Sequence, residues 1–399
     1  MAAQEFETIT TMEQLAAFCA LAKTHPYVTI DTEFLRERTY YSKLCLIQAA
    51  LPPAGGTKGA AQGPAVLIDP LIGDISLEPL YDLFRHKETV KVFHAARQDL
   101  EIFFHDAGVL PDPLFDTQIA AMVCGFGEQV SYETLVKKIA RQELDKSSRF
   151  TDWSRRPLSN DQANYAVADV THLRVIYEFL ANQLAKTGRA PWVAEEVAVL
   201  NNPGTYVTKP EDAWEKVRTR SGSPRFLAVV RELARFREAY AQDRDVPRSR
   251  VFKDDVLIEL ASTKPMTEAE LGKSRLLLRE ARKGEIAEGI LAAVKAGVES
   301  KDLPKPSHDE PGRPGNAALA DLLRVLLKAK ADQAGVAPKL IAAASDLDAI
   351  ASGARDLPAL SGWRREVFGN DALRLALGEI ALSAEGNSVK IVQVREQCA

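Results

Sequence analysis

Strand-like segments in this 399-residue chain are confined to its first half, and that asymmetry limits its possible folds more than any other feature. Within residues 1–190, Tyr27–Phe34, Lys43–Gln48 and Ala65–Asp69 are β-branched, aromatic or continuously apolar over strand lengths. Their short connections fit an antiparallel set, with the Gly- and Pro-rich stretch Leu51–Pro64 as a hairpin or longer surface loop. Helical spacing then enters at Leu77–Arg85, Gln98–Asp106, Glu133–Ile139 and Asn160–Thr187, with a short strand at Thr89–His94. In the last helix Ala163, Val167, Val170, Leu173, Ile176 and Leu180 recur at three- and four-residue intervals. A mixed β-sheet with packed helices is the expected product.

Beyond residue 190 the pattern changes. Pro191, the turn signal Asn201-Asn-Pro-Gly204 and Pro210 read as an extended linker over Ala190–Lys209. The remainder reads as helices broken at Ser221–Pro224, Asp245–Pro247, Lys264–Pro265 and the proline cluster Asp302–Pro314. A weak internal echo, in which Val246-Pro247, Asp255 and Ile258 match Ala337-Pro338, Asp346 and Ala349, fits two related modules. The expected domains are 1–205, 210–298 and 315–390, the last two all-α.

Cys19, Cys45, Cys124 and Cys398 are too far apart for a CxxC motif, so neither a disulfide framework nor a cysteine-rich zinc site has support. The opening residues lack a signal-peptide pattern, and no apolar run of membrane-spanning length follows, so a cytoplasmic protein without a membrane partner is expected. Net charge is −4, but it is unevenly placed: −7 over residues 1–204, +3 over 205–300 and zero over 301–399. Lys216–Lys253 holds 11 basic and 4 acidic residues, enough to draw phosphate backbones toward an acidic body.

Residues two apart on a strand share a face, so Asp31 and Glu33 place two carboxylates together in an otherwise apolar segment. Such a pair repels itself unless a cation resides there. Asp99 opens the helix after His94, where a capping role is the simpler reading. Tyr165 and Asp169 share a helix face at i, i+4, which lets a phenol orient a water held by metals that the carboxylate ligates.

Together Asp31, Glu33, Asp99, Tyr165 and Asp169 resemble the DEDD exonuclease superfamily in its tyrosine variant, and within it the ribonuclease D family. The likeness runs through Ile30-Asp-Thr-Glu-Phe34, His94-Ala-Ala-Arg-Gln-Asp-Leu100, Phe115-Asp-Thr117, Trp153-Ser-Arg-Arg-Pro-Leu158 and Tyr165-Ala-Val-Ala-Asp-Val170. It implies an α/β ribonuclease-H-like nuclease domain followed by two helical helicase-and-RNase-D C-terminal modules, the second more diverged. It also implies hydrolytic removal of nucleoside monophosphates from RNA 3′ ends, with precursor tRNA and other small RNAs bearing single-stranded 3′ ends as substrates and a monomeric enzyme.

By the same resemblance Asp31, Glu33, Asp99 and Asp169 ligate two divalent cations, Mg²⁺ or Mn²⁺, and Tyr165 positions the attacking water. Phe34, Gln48 and His94 are secondary candidates for contacting the terminal nucleotide, each with an ordinary structural reading beside it. Asp116 reads as a helix cap, and Trp153-Ser-Arg-Arg156 as a segment that either approaches phosphate or forms an ordered loop. Two alternatives stay open at this point: a DNA 3′–5′ exonuclease, and a catalytically silent RNA-binding adaptor.

Overall fold

A computed structural model of the chain describes residues 5–53, 63–72, 75–145, 148, 151–219, 223–304 and 316–394. Strand β1 (Glu7–Ile9) leads into α1 (Met12–Ala22), which starts at a reciprocal cap between Thr11 and Gln14. Strands β2 (Tyr27–Leu35), β3 (Lys43–Ala50) and β4 (Ala65–Ile68) then pair antiparallel, as expected. After α2 (Glu78–Arg85), β5 (Val90–Phe93) adds parallel to β2; after α3 (Arg97–Ala107), β6 (Leu114–Asp116) adds parallel to β5. The mixed sheet has the order β1-β4-β3-β2-β5-β6, with β2 near its middle. The two edge strands, three residues each, are too short for their alternation to register in sequence.

The faces of β2 have different tasks. Val28 and Ile30 join Ile47, Ala49 and the apolar sides of α1, α2 and α3 in one core. On the other face Thr29 Oγ1 donates to the Val170 carbonyl at 2.8 Å. The chain reaches Val170 through α4 (Thr117–Val123), α5 (Tyr132–Leu135) with its π-turn continuation Val136–Ala140, and α6 (Asn160–Thr187). A Ser159–Gln162 capping box starts α6, and Gly188, at φ +68°, stops it.

Opposite Glu33 the ladder slips: Glu33 pairs with Leu46 and Phe34 with Leu44. The extra β3 residue, Cys45, enters the same core as Leu46, under Val167 and Val170 of α6. The Cys45 carbonyl accepts from Arg156 Nη2 at 2.6 Å, and the same guanidinium grips the carboxylate of Asp69. Arg156 therefore ties the 151–158 loop to the sheet and is not offered to phosphate. From that loop Trp153 sits 6.1 Å, centroid to centroid, from the ring of Tyr165.

The expected linker at Ala190–Lys209 is corrected by α7 (Ala190–Ala198) and a 3₁₀ turn at Pro203–Thr205. Pro191 lies in the first turn of α7, where a missing N–H costs nothing, and Val193 and Val197 bury against α4 and α6.

The next module comprises α8 (Pro224–Asp243), α9 (Arg248–Val251), α10 (Asp254–Thr263), α11 (Glu268–Leu271) and α12 (Gly284–Glu299). Its core includes Phe226, Val230, Leu233, Leu257, Leu260 and Ile290. Helices α8 and α12 approach so closely that a Cβ on Gly297 would lie 2.5 Å from the Val229 Cα. The last module has α13 (Ala317–Ala334), α14 (Pro338–Ile341), α15 (Ala344–Ala351), α16 (Gly362–Arg364) and α17 (Asn370–Ala376). The long, four-residue and intermediate helices α8, α9 and α10 thus recur in order as α13, α14 and α15, where the sequence echo falls.

The expectation that this module is entirely helical needs correction. Strands β7 (Ile380–Glu385) and β8 (Ser388–Gln393) form an antiparallel hairpin that continues past residue 390. Ile380 and Leu382 alternate into the core, and Gly386, at φ +60°, makes the two-residue turn. Most of Leu51–Pro64, Ser221 of the Ser221–Pro224 break, most of the proline cluster, and Cys398 lie outside the described residues.

Both modules touch the nuclease domain. In the β2–β3 loop the Tyr40 hydroxyl donates to Glu238 and accepts from Gln242 Nε2 at 3.1 Å and Arg248 Nη2 at 3.2 Å. The backbone N–H groups of Tyr40 and Tyr41 both donate to Asp245 at 3.0 Å. The last module docks on α7: Trp363 stacks on Trp192 with centroids 4.6 Å apart, and its Nε1 donates to Glu196 at 2.9 Å.

The basic stretch is less available than its charge implies. Arg225 caps carbonyls at the end of α12, while Arg231, Arg237, Arg244 and Arg248 pair with Asp302, Asp254, Glu285 and Glu238. Helix α8 therefore does not present a free row of arginines. The exposed cations of this stretch without an ion pair among the described residues are Lys216, Arg218, Arg250 and Lys253.

Candidate active site

Alternation along β2 turns Asp31 and Glu33 toward α6, and α6 supplies Asp169. Ligand atoms of the three carboxylates all lie within 4.8 Å of one another. Two hydrogen bonds hold this turn of α6 against the sheet: Thr29 to the Val170 carbonyl, and the Tyr132 hydroxyl to the Asp169 carbonyl. One helical turn earlier, Tyr165 hydrogen-bonds the Asp169 carboxylate. A cavity of about 210 Å³ opens here, lined by Asp31, His94, Tyr132, Tyr165 and Asp169 among others.

Asp99 lies in the first turn of α3, buried, and accepts a hydrogen bond from Thr32 Oγ1. It stands outside the group of three but close enough to raise both Asp31 and Glu33 electrostatically. Its helix is aimed by a turn in which Ala95 has φ +57°, a conformation that costs a non-glycine residue roughly 1 kcal/mol. Asp116 holds that turn by accepting from the N–H groups of Ala95 and Ala96, while also capping α4 through Gln118 and Ile119. Its predicted capping role is what the structure contains.

Burial lifts the Asp31 carboxyl far above the ordinary carboxylate range, with Asp99, Asp169 and Glu33 adding to the rise. Burial and then Asp169 and Asp99 push Glu33 up to about 9. Burial raises Asp99 to about 7 against the opposing hydrogen bond from Thr32. Carboxylates so placed keep their charge only beside a cation. An all-oxygen donor set with neither His nor Cys suits a hard divalent ion, so the residues present fit Mg²⁺ or Mn²⁺.

The Tyr165 phenol is raised further above its ordinary value, by burial first and then by Asp169, Glu33 and Asp31. In this arrangement its hydroxyl is the donor to the Asp169 carboxylate. Tyr165→Phe is expected to leave the melting temperature within a few degrees of wild type and to slow single-turnover cleavage about a hundredfold. Unchanged single-turnover cleavage would remove the phenol from the reaction.

The secondary candidates separate. His94 lines the cavity, bonded through Nδ1 to Thr117 Oγ1 at 2.9 Å, and burial holds its imidazole below its ordinary value. Gln48 pairs in register with Asp31 but is completely buried, and the structure does not bring it to the cavity. Its amide N and O have no hydrogen-bond partner among the described residues. Phe34 is half-buried at the ladder slip and is likewise absent from the cavity wall. Tyr132, which the sequence reading missed, both lines the cavity and braces α6. The only signal for it was the cap Ser131, whose side chain accepts from Thr134 N–H and starts α5 beside this tyrosine.

Comparison with known proteins places these features. A family model described as 3′–5′ exonuclease matches residues 6–185, and one for the HRDC domain matches residues 226–294. Fold and carboxylate site together define a metal-dependent 3′–5′ exonuclease with largely helical C-terminal modules. Ribonuclease D of Jannaschia sp. (strain CCS1) is 62% identical over 389 residues, covering 97% of this chain and 99% of that protein. Ribonuclease D of Granulibacter bethesdensis is 47% identical over 388 residues, covering 96% of each. The crystal structure of Escherichia coli RNase D, an exoribonuclease involved in structured RNA processing, matches with a TM-score of 0.81 at 30% identity over 94% of this chain and 99% of that one. The chain belongs to the ribonuclease D family, and its activity is that of a metal-dependent 3′–5′ exoribonuclease.

Proposed function

We propose that the enzyme trims single-stranded 3′ extensions of precursor tRNA and other small RNAs, acting as a cytoplasmic monomer with two Mg²⁺ or Mn²⁺ ions. The clustering of Asp31, Glu33 and Asp169, of which Asp31 and Asp169 line the cavity, carries this reading. Those three residues and Asp99 would hold the ions. When bound, such ions activate a water and neutralise charge on the leaving 3′ oxygen.

The chain's own residues do the rest. Tyr165, whose own proton is held by Asp169, accepts a hydrogen bond from the attacking water and so orients it, Tyr132 keeps Asp169 at its station, and His94 stands in the wall against which the terminal nucleotide rests. The nuclease domain is taken as 1–205 and the modules as 210–298 and 315–390, with the hairpin extending the last. Among the described residues no helix is long and apolar enough to cross a membrane.

The test is a time course on a tRNA precursor with an unpaired 3′ tail, with 3′ ends mapped at each point. Stepwise shortening that slows at the acceptor stem is expected, and chelation of divalent cations should stop it. Internal cuts appearing before shortening would overturn the reading.

A further inference from the structure

We propose that Gln48 is a positioning residue for the cation site: its buried side-chain amide donates a hydrogen bond to the Asp31 carboxylate and fixes the direction in which that carboxylate faces an incoming ion. The inference rests on the reading of Asp31 as a cation ligand given above.

Strand β3 alternates strictly around this residue. Ile47 and Ala49 enter the core shared with α1, α2 and α3, while Leu46 and Ala50 enter the layer beneath α6. Gln48 falls on the α6 side, at a position where the alternation calls for an apolar residue. Its two register partners are Asp31 on β2 and Leu67 on β4. Leu46, Ala50 and Leu67, with Val167 and Val170 of α6, make up the layer in which it lies.

Gln48 is completely buried, and neither its amide nitrogen nor its amide oxygen has a hydrogen-bond partner among the described residues. The fold gains nothing from this, because an unsatisfied buried amide costs stability that a methionine or leucine of similar volume would not. A bridging water needs two or more polar partners, which a layer of leucine, alanine and valine does not supply.

Of the two register partners, Asp31 is the one with a polar side chain. Side chains directly opposite on an antiparallel pair have Cβ atoms about 4.5–5.5 Å apart, within reach of a glutamine amide. The neighbouring polar groups of β2 are placed differently. Thr29 Oγ1 already donates to the Val170 carbonyl, and Glu33 stands opposite Leu46, one pair nearer the ladder slip. Two of the four carboxylates are oriented by side-chain hydroxyls, Asp99 by Thr32 and Asp169 by Tyr165. Asp31 is reached by the backbone N–H of Thr32, and Gln48, beside it across the ladder, supplies the side-chain donor that the other two have. A ligand held from behind in this way is ready for its ion, so losing the donor weakens metal binding.

The test counts Mn²⁺ bound by the full-length protein without RNA, from the loss of the free-ion EPR signal. Gln48→Met keeps the volume and removes the amide. It should weaken Mn²⁺ binding about tenfold to a hundredfold, the usual effect of removing a group that orients a ligand. In chelator the same variant should melt at or above the wild-type temperature, because an unsatisfied amide has gone. Leu67→Met, on the far side of Gln48 in the same layer, should leave Mn²⁺ affinity within about twofold of wild type, since it exchanges apolar groups of similar volume.

Equal Mn²⁺ affinities for wild type and Gln48→Met, or equal weakening by Gln48→Met and Leu67→Met, would overturn the proposal. So would a melting temperature in chelator that falls by more than a few degrees in both Gln48→Met and Gln48→Leu, since the amide would then serve the fold. Shortening of a single-stranded oligoribonucleotide by wild type with Mg²⁺ is scored separately. Failure there would sink the exoribonuclease reading and leave the comparison of Mn²⁺ affinities standing.

Discussion

Asp31→Asn is expected to lower turnover roughly a thousandfold, the equivalent of losing about 4 kcal/mol of transition-state stabilisation. The amide keeps the shape of the carboxylate but not the charge that a divalent cation requires. Its effect on stability should have the opposite sign. Asp31 is half-buried and repelled by Asp99, Asp169 and Glu33, so the metal-free variant should melt a few degrees above metal-free wild type. Asp169→Asn should behave alike. Single-turnover cleavage paired with melting curves in chelator reads both effects, and near-normal turnover at ordinary metal concentration would remove Asp31 from the cation site.

Trp363→Ala should destabilise the last module by about 3–5 kcal/mol, the usual cost of truncating a buried tryptophan. Trp363 is 4% exposed, packs in the module core, stacks on Trp192 and donates to Glu196. Its loss therefore weakens both the module and its seat on α7. A separate early melting transition is expected, with rapid proteolysis after residue 316, while the sheet and α6 remain protected. A single transition at the wild-type temperature would show that the stack contributes nothing. Removing everything from residue 211 onward would also uncover Trp192 and strip Tyr40 of its partners. Aggregation should accompany any loss of RNA affinity.

The parts of the molecule legible in sequence are those whose signals are local. Helix α6 runs between its Ser159–Gln162 box and Gly188, as its long periodic stripe required. Strand β2 shows its apolar alternation and its two carboxylates in one short phrase. Helix α7 was hidden because Pro191 and Asn201-Asn-Pro-Gly204 look like breakers, whereas its apolar contacts lie with α4, α6 and a tryptophan far along the chain. Gln48 lies on a strand as the sequence indicates, but only the packed structure reveals that it pairs with Asp31 and is completely buried. Charge counting found the basic stretch without revealing that Arg225, Arg231, Arg237, Arg244 and Arg248 hold the module together. The hairpin β7–β8 did leave a local trace, in Ile380, Leu382 and the turn at Gly386, within a segment whose surroundings read as helix.

The dependence of the carboxylate cluster on α6 sets a timetable for the newborn enzyme. The hydrogen bond that seats α6 on β2 joins residues 141 positions apart. At roughly 5–20 residues per second, a ribosome that has just made β2 needs on the order of ten seconds to reach Asp169. Throughout that interval Asp31 and Glu33 exist without the helix that completes their cation site. The growing chain thus has no complete cation site until its nuclease domain closes.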